Sequence, residues 1–143
     1  MPLNLAERQE FLAQPHIGAL AVAADPGRGP LTVPIWYQYR PGGELWLVTG
    51  AESEKIRRLR SAGRFSLMAQ RVEPTVRYVS VEGPILRIAE TTDEQHREVA
   101  ARYLPAEQVD GYLKAAEAFG AMVTVYLRPE HWLSADMGGG EQY

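Results

Sequence analysis

Every second residue from position 31 to 39 is apolar or aromatic: Leu31, Val33, Ile35, Tyr37 and Tyr39. A period of two puts all five on one face of an extended strand. Pro41-Gly42-Gly43 then turns the chain, and residues 44–49 return as its hairpin partner. Consecutive strands joined by tight turns pair antiparallel. The same logic extends along the chain. Residues 16–24 form a strand rich in small side chains, ended by the turn cluster Asp25-Pro26-Gly27-Arg28-Gly29-Pro30. Residues 65–70 form another. Glu73-Pro74 breaks it, and residues 75–89 run as a long strand with a bulge expected at Gly83-Pro84. Residues 122–128 alternate again, with Val123, Val125 and Leu127 inward.

Four helices punctuate these strands. Asn4-Leu5-Ala6-Glu7 reads as an N-cap with its box partner and opens a helix to residue 14, closed by Pro15. Ser53 caps a second helix, to residue 61, with Ile56 and Leu59 as its buried stripe and Gly63 as its stop. Thr92-Asp93-Glu94-Gln95 repeats the capping box for a helix to residue 103, and Pro105 opens one to residue 119. Six strands with few helices between them argue for a mainly β, α+β barrel rather than a doubly wound sheet. No internal repeat or linker divides the chain, so residues 1–137 are expected to form a single domain. Gly138-Gly139-Gly140 begins a tail, 138–143, expected to be disordered.

At 143 residues the chain fits one domain and can bury a core without staples. Cysteine is absent, which excludes disulfides and thiolate metal sites. No stretch approaches the ~18 to 20 apolar residues of a membrane span. The first ten residues carry acids and no apolar core segment, so no signal peptide is read there and cytoplasmic residence is expected. The net charge of −3 argues against a nucleic-acid binder. The bases are nonetheless clustered: Lys55, Arg57, Arg58, Arg60 and Arg64 fall within ten positions.

That cluster follows the junction Thr49-Gly50-Ala51-Glu52-Ser53-Glu54-Lys55. A strand ends, a glycine-containing loop turns, and a helix starts. Free backbone N–H groups and the positive end of the helix dipole face outward at such a point. The hydroxyls of Thr49 and Ser53 lie alongside. Lys55 stands in the first helical turn, where the dipole disfavours a cation, and a bound phosphate reverses that penalty. The same residues also suit a serine cap followed by a solvated basic face.

Two further features stand out. Pro34 interrupts an otherwise good strand and places it at an edge or bulge. Trp36 shares a face with Pro34, which suits either a partly open edge on which a flat ring lies, or an edge protected against aggregation with Trp36 in the core. Arg77 shares a face with Val79 and Val81, and a buried arginine needs a partner, either a ligand or an internal acid such as Glu82 or Glu73.

These features occur together in one family. The chain resembles the pyridoxamine 5′-phosphate oxidase-like split-barrel proteins, which bind FMN or the deazaflavin coenzyme F420. The resemblance rests on Pro34-Ile35-Trp36-Tyr37, Leu45-Trp46-Leu47-Val48-Thr49 and Ser53-Glu54-Lys55-Ile56-Arg57-Arg58-Leu59. Arg77-Tyr78-Val79-Ser80-Val81-Glu82-Gly83 and Arg128-Pro129-Glu130-His131-Trp132-Leu133 complete it. It implies a six-stranded antiparallel split β-barrel with flanking short helices, paired as a homodimer with cofactor at the subunit interface. It implies that Pro34, Ile35 and Trp36 line the ring and that Thr49, Ser53 and Lys55 hold the phosphate. It also implies that the segment from Arg77 and Tyr78 approaches from the other subunit. Arg57 and Arg58, with Arg60, are expected to meet the acidic tail of F420. The chain departs from true pyridoxamine phosphate oxidases in lacking their arginine-containing end.

The activity implied is that of an oxidoreductase, first an F420-dependent reductase passing a hydride to an electron-poor acceptor such as a quinone, an enone or a tetrapyrrole. The alternatives are an FMN-dependent oxidase or reductase, or a non-catalytic protein storing a cofactor or haem. No catalytic acid or base is assigned. Tyr37 and Tyr78 suit substrate orientation or packing. His131 and Trp132 suit a place near the ring, and Trp132 equally the core or a dimer interface. His16, His96 and His131 show no metal-ligand spacing, so no protein metal site is expected.

Overall fold

The computed structural model describes residues 1–138. The chain runs α1 (Leu5–Ala13), β1 (Gly18–Val22), β2 (Leu31–Ile35), β3 (Tyr37–Tyr39), β4 (Leu45–Gly50), α2 (Glu54–Ala62), β5 (Arg64–Arg71) and β6 (Arg77–Glu90). It continues with α3 (Asp93–Tyr103), α4 (Ala106–Ala116), a single 3₁₀ turn (Glu117–Phe119), β7 (Met122–Leu127) and β8 (His131–Asp136). The caps expected from sequence all form. Asn4 and Thr92 close full capping boxes, and the Ser53 hydroxyl accepts from Ile56 N–H. Gly63 ends α2 in the left-handed region at φ 71° and donates to the Leu59 carbonyl.

The sheet closes on itself through two crossing strands. Its order is β2-β1-β5-β6-β7-β4-β3, every pairing antiparallel. The outermost strands, β2 and β3, are consecutive in the chain with Trp36 alone between them. The long β6 makes the other crossing. Its first half pairs with β5 and β8, and its second half pairs with β7. The result is the expected split antiparallel barrel with flanking helices, a mainly β fold.

Three details differ from the sequence expectation. The alternation at 31–39 is not one strand. It breaks at Trp36, where β2 stays with β1 and β3 crosses to β4. The register shift in β6 falls between Ile85 and Arg87, not at Gly83-Pro84, whose ladder to β5 is regular. Gly83 serves close approach instead: a Cβ there would lie 1.9 Å from the Arg128 carbonyl oxygen. The third difference is β8, which raises the strand count to eight. Its outer residues His131 and Leu133 are exposed and mixed in polarity, so no period-two apolar pattern marks it. Met1 covers its free edge, exchanging two 2.9 Å backbone hydrogen bonds with Asp136.

The core lies inside the barrel and is plugged at one end by α2 through Ile56 and Leu59. Leu12, Leu20, Leu47, Leu67, Val79 and Leu127 fill it. Tyr37 is fully buried there and donates its O–H to the Leu12 carbonyl at 2.6 Å. On the outside, α3 and α4 pack together, α3 against β3 and, through Gln95 bonded to Thr124 and Tyr126, against β7. Gly138 is still tied down, its carbonyl accepting from Val76 N–H at 3.2 Å. The rest of the expected tail, 139–143, lies outside the described residues.

Candidate functional site

The junction between β4 and α2 is built from local sequence. β4 delivers Thr49, 3% exposed, at its inner face. Its Oγ1 lies 3.2 Å from Ser53 Oγ, which also accepts from Ile56 N–H at 3.2 Å. Ala51 N–H is spent on the Ala121 carbonyl and Ser53 N–H on Gly50. The N–H groups of Glu52, Glu54 and Lys55 take no acceptor among the described residues. Three amide donors, two hydroxyls and the dipole of a nine-residue helix therefore meet at one corner.

The basic cluster beside it divides in two. Glu54 accepts from both Arg57 and Arg58 along the helix flank. Arg58 also pairs with Asp25 at 2.6 Å, and its guanidinium holds that carboxyl below the usual range. Lys55 and Arg60 make no ion pair or hydrogen bond among the described residues. Of the three bases Lys55, Arg57 and Arg58, then, only Lys55 at the corner is uncommitted.

Pro34, Ile35 and Trp36 stand at the kink between β2 and β3, and they form one wall of a groove of about 260 Å³. Val48 and Met122 floor it, and His96, Val99 and Tyr112 of the α3–α4 pair form the other wall. Trp36 is half-buried rather than in the core. It stacks on Tyr103 with centroids 5.0 Å apart and planes 16° from parallel, and Tyr112 lies 5.4 Å away. The Tyr103 hydroxyl holds the kink itself, accepting from Tyr37 N–H at 3.1 Å and lying 2.8 Å from the His16 carbonyl it donates to. Next door Arg102 donates to the carbonyls of Ala13 and Gln14, both at 2.6 Å, and so ties the end of α1 to α3. A larger cavity of about 590 Å³ adjoins the groove, sharing His96 and Met122 with it. Neither cavity is lined by Thr49, Ser53 or Lys55.

Arg77 and Tyr78 lie elsewhere in the chain, at the start of β6. Arg77 faces inward over the Phe11 ring, and Asp136 of β8 is its partner at 2.8 Å, rather than Glu82 or Glu73. Asp136 also accepts from Gly138 N–H and the Thr75 hydroxyl, and these bonds with Arg77 hold its carboxyl at about 2. Tyr78 faces the opposite way and is half-buried. Tyr37 is a packing residue. His131 is exposed beside Glu82 and Glu130, while Trp132 packs on the core with Arg8 over its ring.

One chain thus brings Thr49, Ser53 and Lys55 together, and Pro34, Ile35 and Trp36 together. The sequence did not mark His96, Val99 and Tyr112, which complete the groove, or Tyr103, which stacks on Trp36. The signal available was the pair of tyrosines, Tyr103 and Tyr112, on the two helices from residues 93 to 116.

A family model described as pyridoxamine 5′-phosphate oxidase matches residues 5–135. No curated protein matches the chain. Among solved structures, a conserved hypothetical protein of Mycobacterium tuberculosis is 27% identical over 94% of this chain and 85% of the other, with a TM-score of 0.71. A structure described as an F420 reductase is 20% identical over 87% of this chain and 94% of its own, at TM-score 0.68. A FAD-binding protein from Mesorhizobium loti is 20% identical over 95% of each chain, at 0.62. These last two show a shared fold.

Proposed function

The chain belongs to the pyridoxamine 5′-phosphate oxidase family, and on that premise we propose that it is a flavin- or deazaflavin-dependent oxidoreductase. The finer reading is an F420-dependent reductase acting on an electron-poor small organic acceptor. The observation that carries it is the β4–α2 corner, where Lys55 and three amide N–H groups have no partner among the described residues. A cation in the first turn of a helix is held against the dipole, and an anion docked there removes the conflict.

The residues present fit such a cofactor. Thr49 and Ser53 supply hydroxyls, Lys55 a charge, and the amides of residues 52, 54 and 55 supply directed donors for a phosphate. In the groove beside Pro34, Ile35 and Trp36, His96 is the one ionisable lining residue besides Tyr112, which suits an uncharged ring. When bound, the cofactor supplies hydride chemistry. The chain's own part is to bind, orient and exclude water. Tyr103 fixes the kink that presents the backbone of residues 34–36, and α3 with α4 faces that wall across the groove.

The single chain leaves two parts of the site as proposals. Arg57 and Arg58 are committed to carboxylates, so a role with the F420 tail requires them to exchange partners, whereas Arg60 is free to meet it. Arg77 is committed to Asp136, which leaves Tyr78 as the residue of that segment free to reach a cofactor across a homodimer.

Equilibrium titration with FMN and F420 side by side tests the reading. Uptake of F420 supports the reductase; preference for FMN moves the assignment to an FMN-dependent oxidase or reductase on the same scaffold. A bound cofactor that no acceptor reoxidises makes the protein a binder. Binding of neither removes the proposal.

A further inference from the structure

His96 lines the ring groove of the cofactor site proposed above, and its position there is unusual. It lies on α3, half-buried, with its ring edge-on to Tyr112 at 5.8 Å and no hydrogen-bond partner among the described residues. It is also one of the two residues, with Met122, common to the groove and the larger cavity. Resting on the cofactor reading, we propose that the larger cavity receives the hydride acceptor, and that His96 donates a hydrogen bond to a carbonyl oxygen of that acceptor.

Size separates the two spaces. The groove, about 260 Å³, holds one flat ring system, while about 590 Å³ next to it accommodates a second small molecule. Hydride donor and acceptor must approach to about 3–3.5 Å, so their spaces must adjoin. His96 and Met122, which line both, mark where the two meet. Burial holds the His96 imidazole below its ordinary value, with Asp93 opposing, which keeps the ring neutral near pH 7 with one N–H to donate.

The charges around the larger cavity indicate the class of acceptor. Arg97 and Asp110 neutralise each other at 2.9 Å. Asp93, Glu117 and Lys114 remain, two acids against one base. That balance disfavours an anion. An uncharged, carbonyl-bearing, electron-poor ring compound matches both the donor at His96 and the surrounding charge.

Menadione, an uncharged naphthoquinone, and a naphthoquinone sulfonate are suitable probes. The protein, saturated with whichever oxidised cofactor it takes up, is titrated with each while the imidazole signals are followed by NMR. No turnover is needed. The expected result is a saturable shift of the His96 signals with menadione, and weaker binding of the sulfonate. His96→Ala should weaken menadione binding about tenfold and His96→Gln should recover part of it, each measured with the protein saturated with cofactor. Unmoved His96 signals, or menadione bound as tightly by His96→Ala as by the natural protein, would overturn the proposal. If neither cofactor binds, the same titration is run on the bare protein. A His96 shift then keeps the carbonyl site while the cofactor reading falls, and no shift removes both.

Discussion

The two halves of the proposed site were made in opposite ways. The phosphate corner comes from seven consecutive residues, Thr49 to Lys55, and needs little beyond a strand end, a serine cap and a first helical turn. The ring groove is assembled from β2 and Trp36, β4, α3, α4 and β7, which meet only when the barrel has closed. A local site tolerates changes elsewhere in the fold. A site assembled from distant elements depends on the contacts that hold them in register, here above all on Tyr103.

That contrast can be broken by experiment. Tyr103→Ala removes the ring that stacks on Trp36 together with the hydroxyl that bonds Tyr37 and His16, and should cost about 2–4 kcal/mol of stability in chemical denaturation. Tyr103→Phe keeps the stack and loses the hydroxyl, so near-UV circular dichroism of Trp36 should persist while stability falls by about 1–2 kcal/mol. If both variants are as stable as the natural protein, the groove is not held together in this way.

Lys55→Ala should do the reverse. The side chain has no partner among the described residues, so the melting temperature should hardly move while cofactor affinity falls roughly 10- to 100-fold, as for a lost charge-assisted hydrogen bond. Unchanged affinity in the same titration would detach the corner from the function. Ser53→Ala sits between the two. It removes a cap worth about 1 kcal/mol and one hydroxyl at the corner, so both stability and affinity should decline modestly. A loss confined to stability would return Ser53 to a purely structural role.

The smallest effect belongs to a third region, the clip around Asp136, and it checks that Arg77 is committed within its own chain. The Asp136 carboxyl is held at about 2 in the folded protein, against 3.8 ordinarily. A group depressed on folding stabilises above its ordinary value, and that stabilisation is lost as pH falls through the folded one. The advantage of the natural protein over Asp136→Asn should therefore be full at pH 5 and shrink between about pH 4 and pH 2. An advantage that stays constant across that range would mean that Arg77 is free for other partners.

The same division governs what could be read in advance. Caps are local chemistry, and Asn4, Ser53, Gly63 and Thr92 all end helices as the sequence implies. Hairpin strands carry their own alternation and were legible too. The break at Trp36 was not, because Leu31 to Tyr39 keeps its period unbroken while the chain changes sheets, a matter of which strand lies alongside. β8 escaped for a related reason: it holds on by pairing with β6 and by the Arg77–Asp136 bond rather than by an apolar face of its own. The tyrosines of α3 and α4 were visible as residues, but the surface they meet exists only in the folded barrel.

The near-contact at Gly83 reaches beyond its own position. The Arg128 carbonyl rests where a methyl group would stand, and Arg128 N–H is bonded to the Pro84 carbonyl on the same stretch of β6. The link from β7 to β8 is thus riveted to the middle of the longest strand. The part of the barrel that carries the phosphate corner and the part that carries the Asp136 clip cannot breathe separately about that point. Any opening of one drags the other, and exchange of the backbone amides flanking the rivet should report a single shared event.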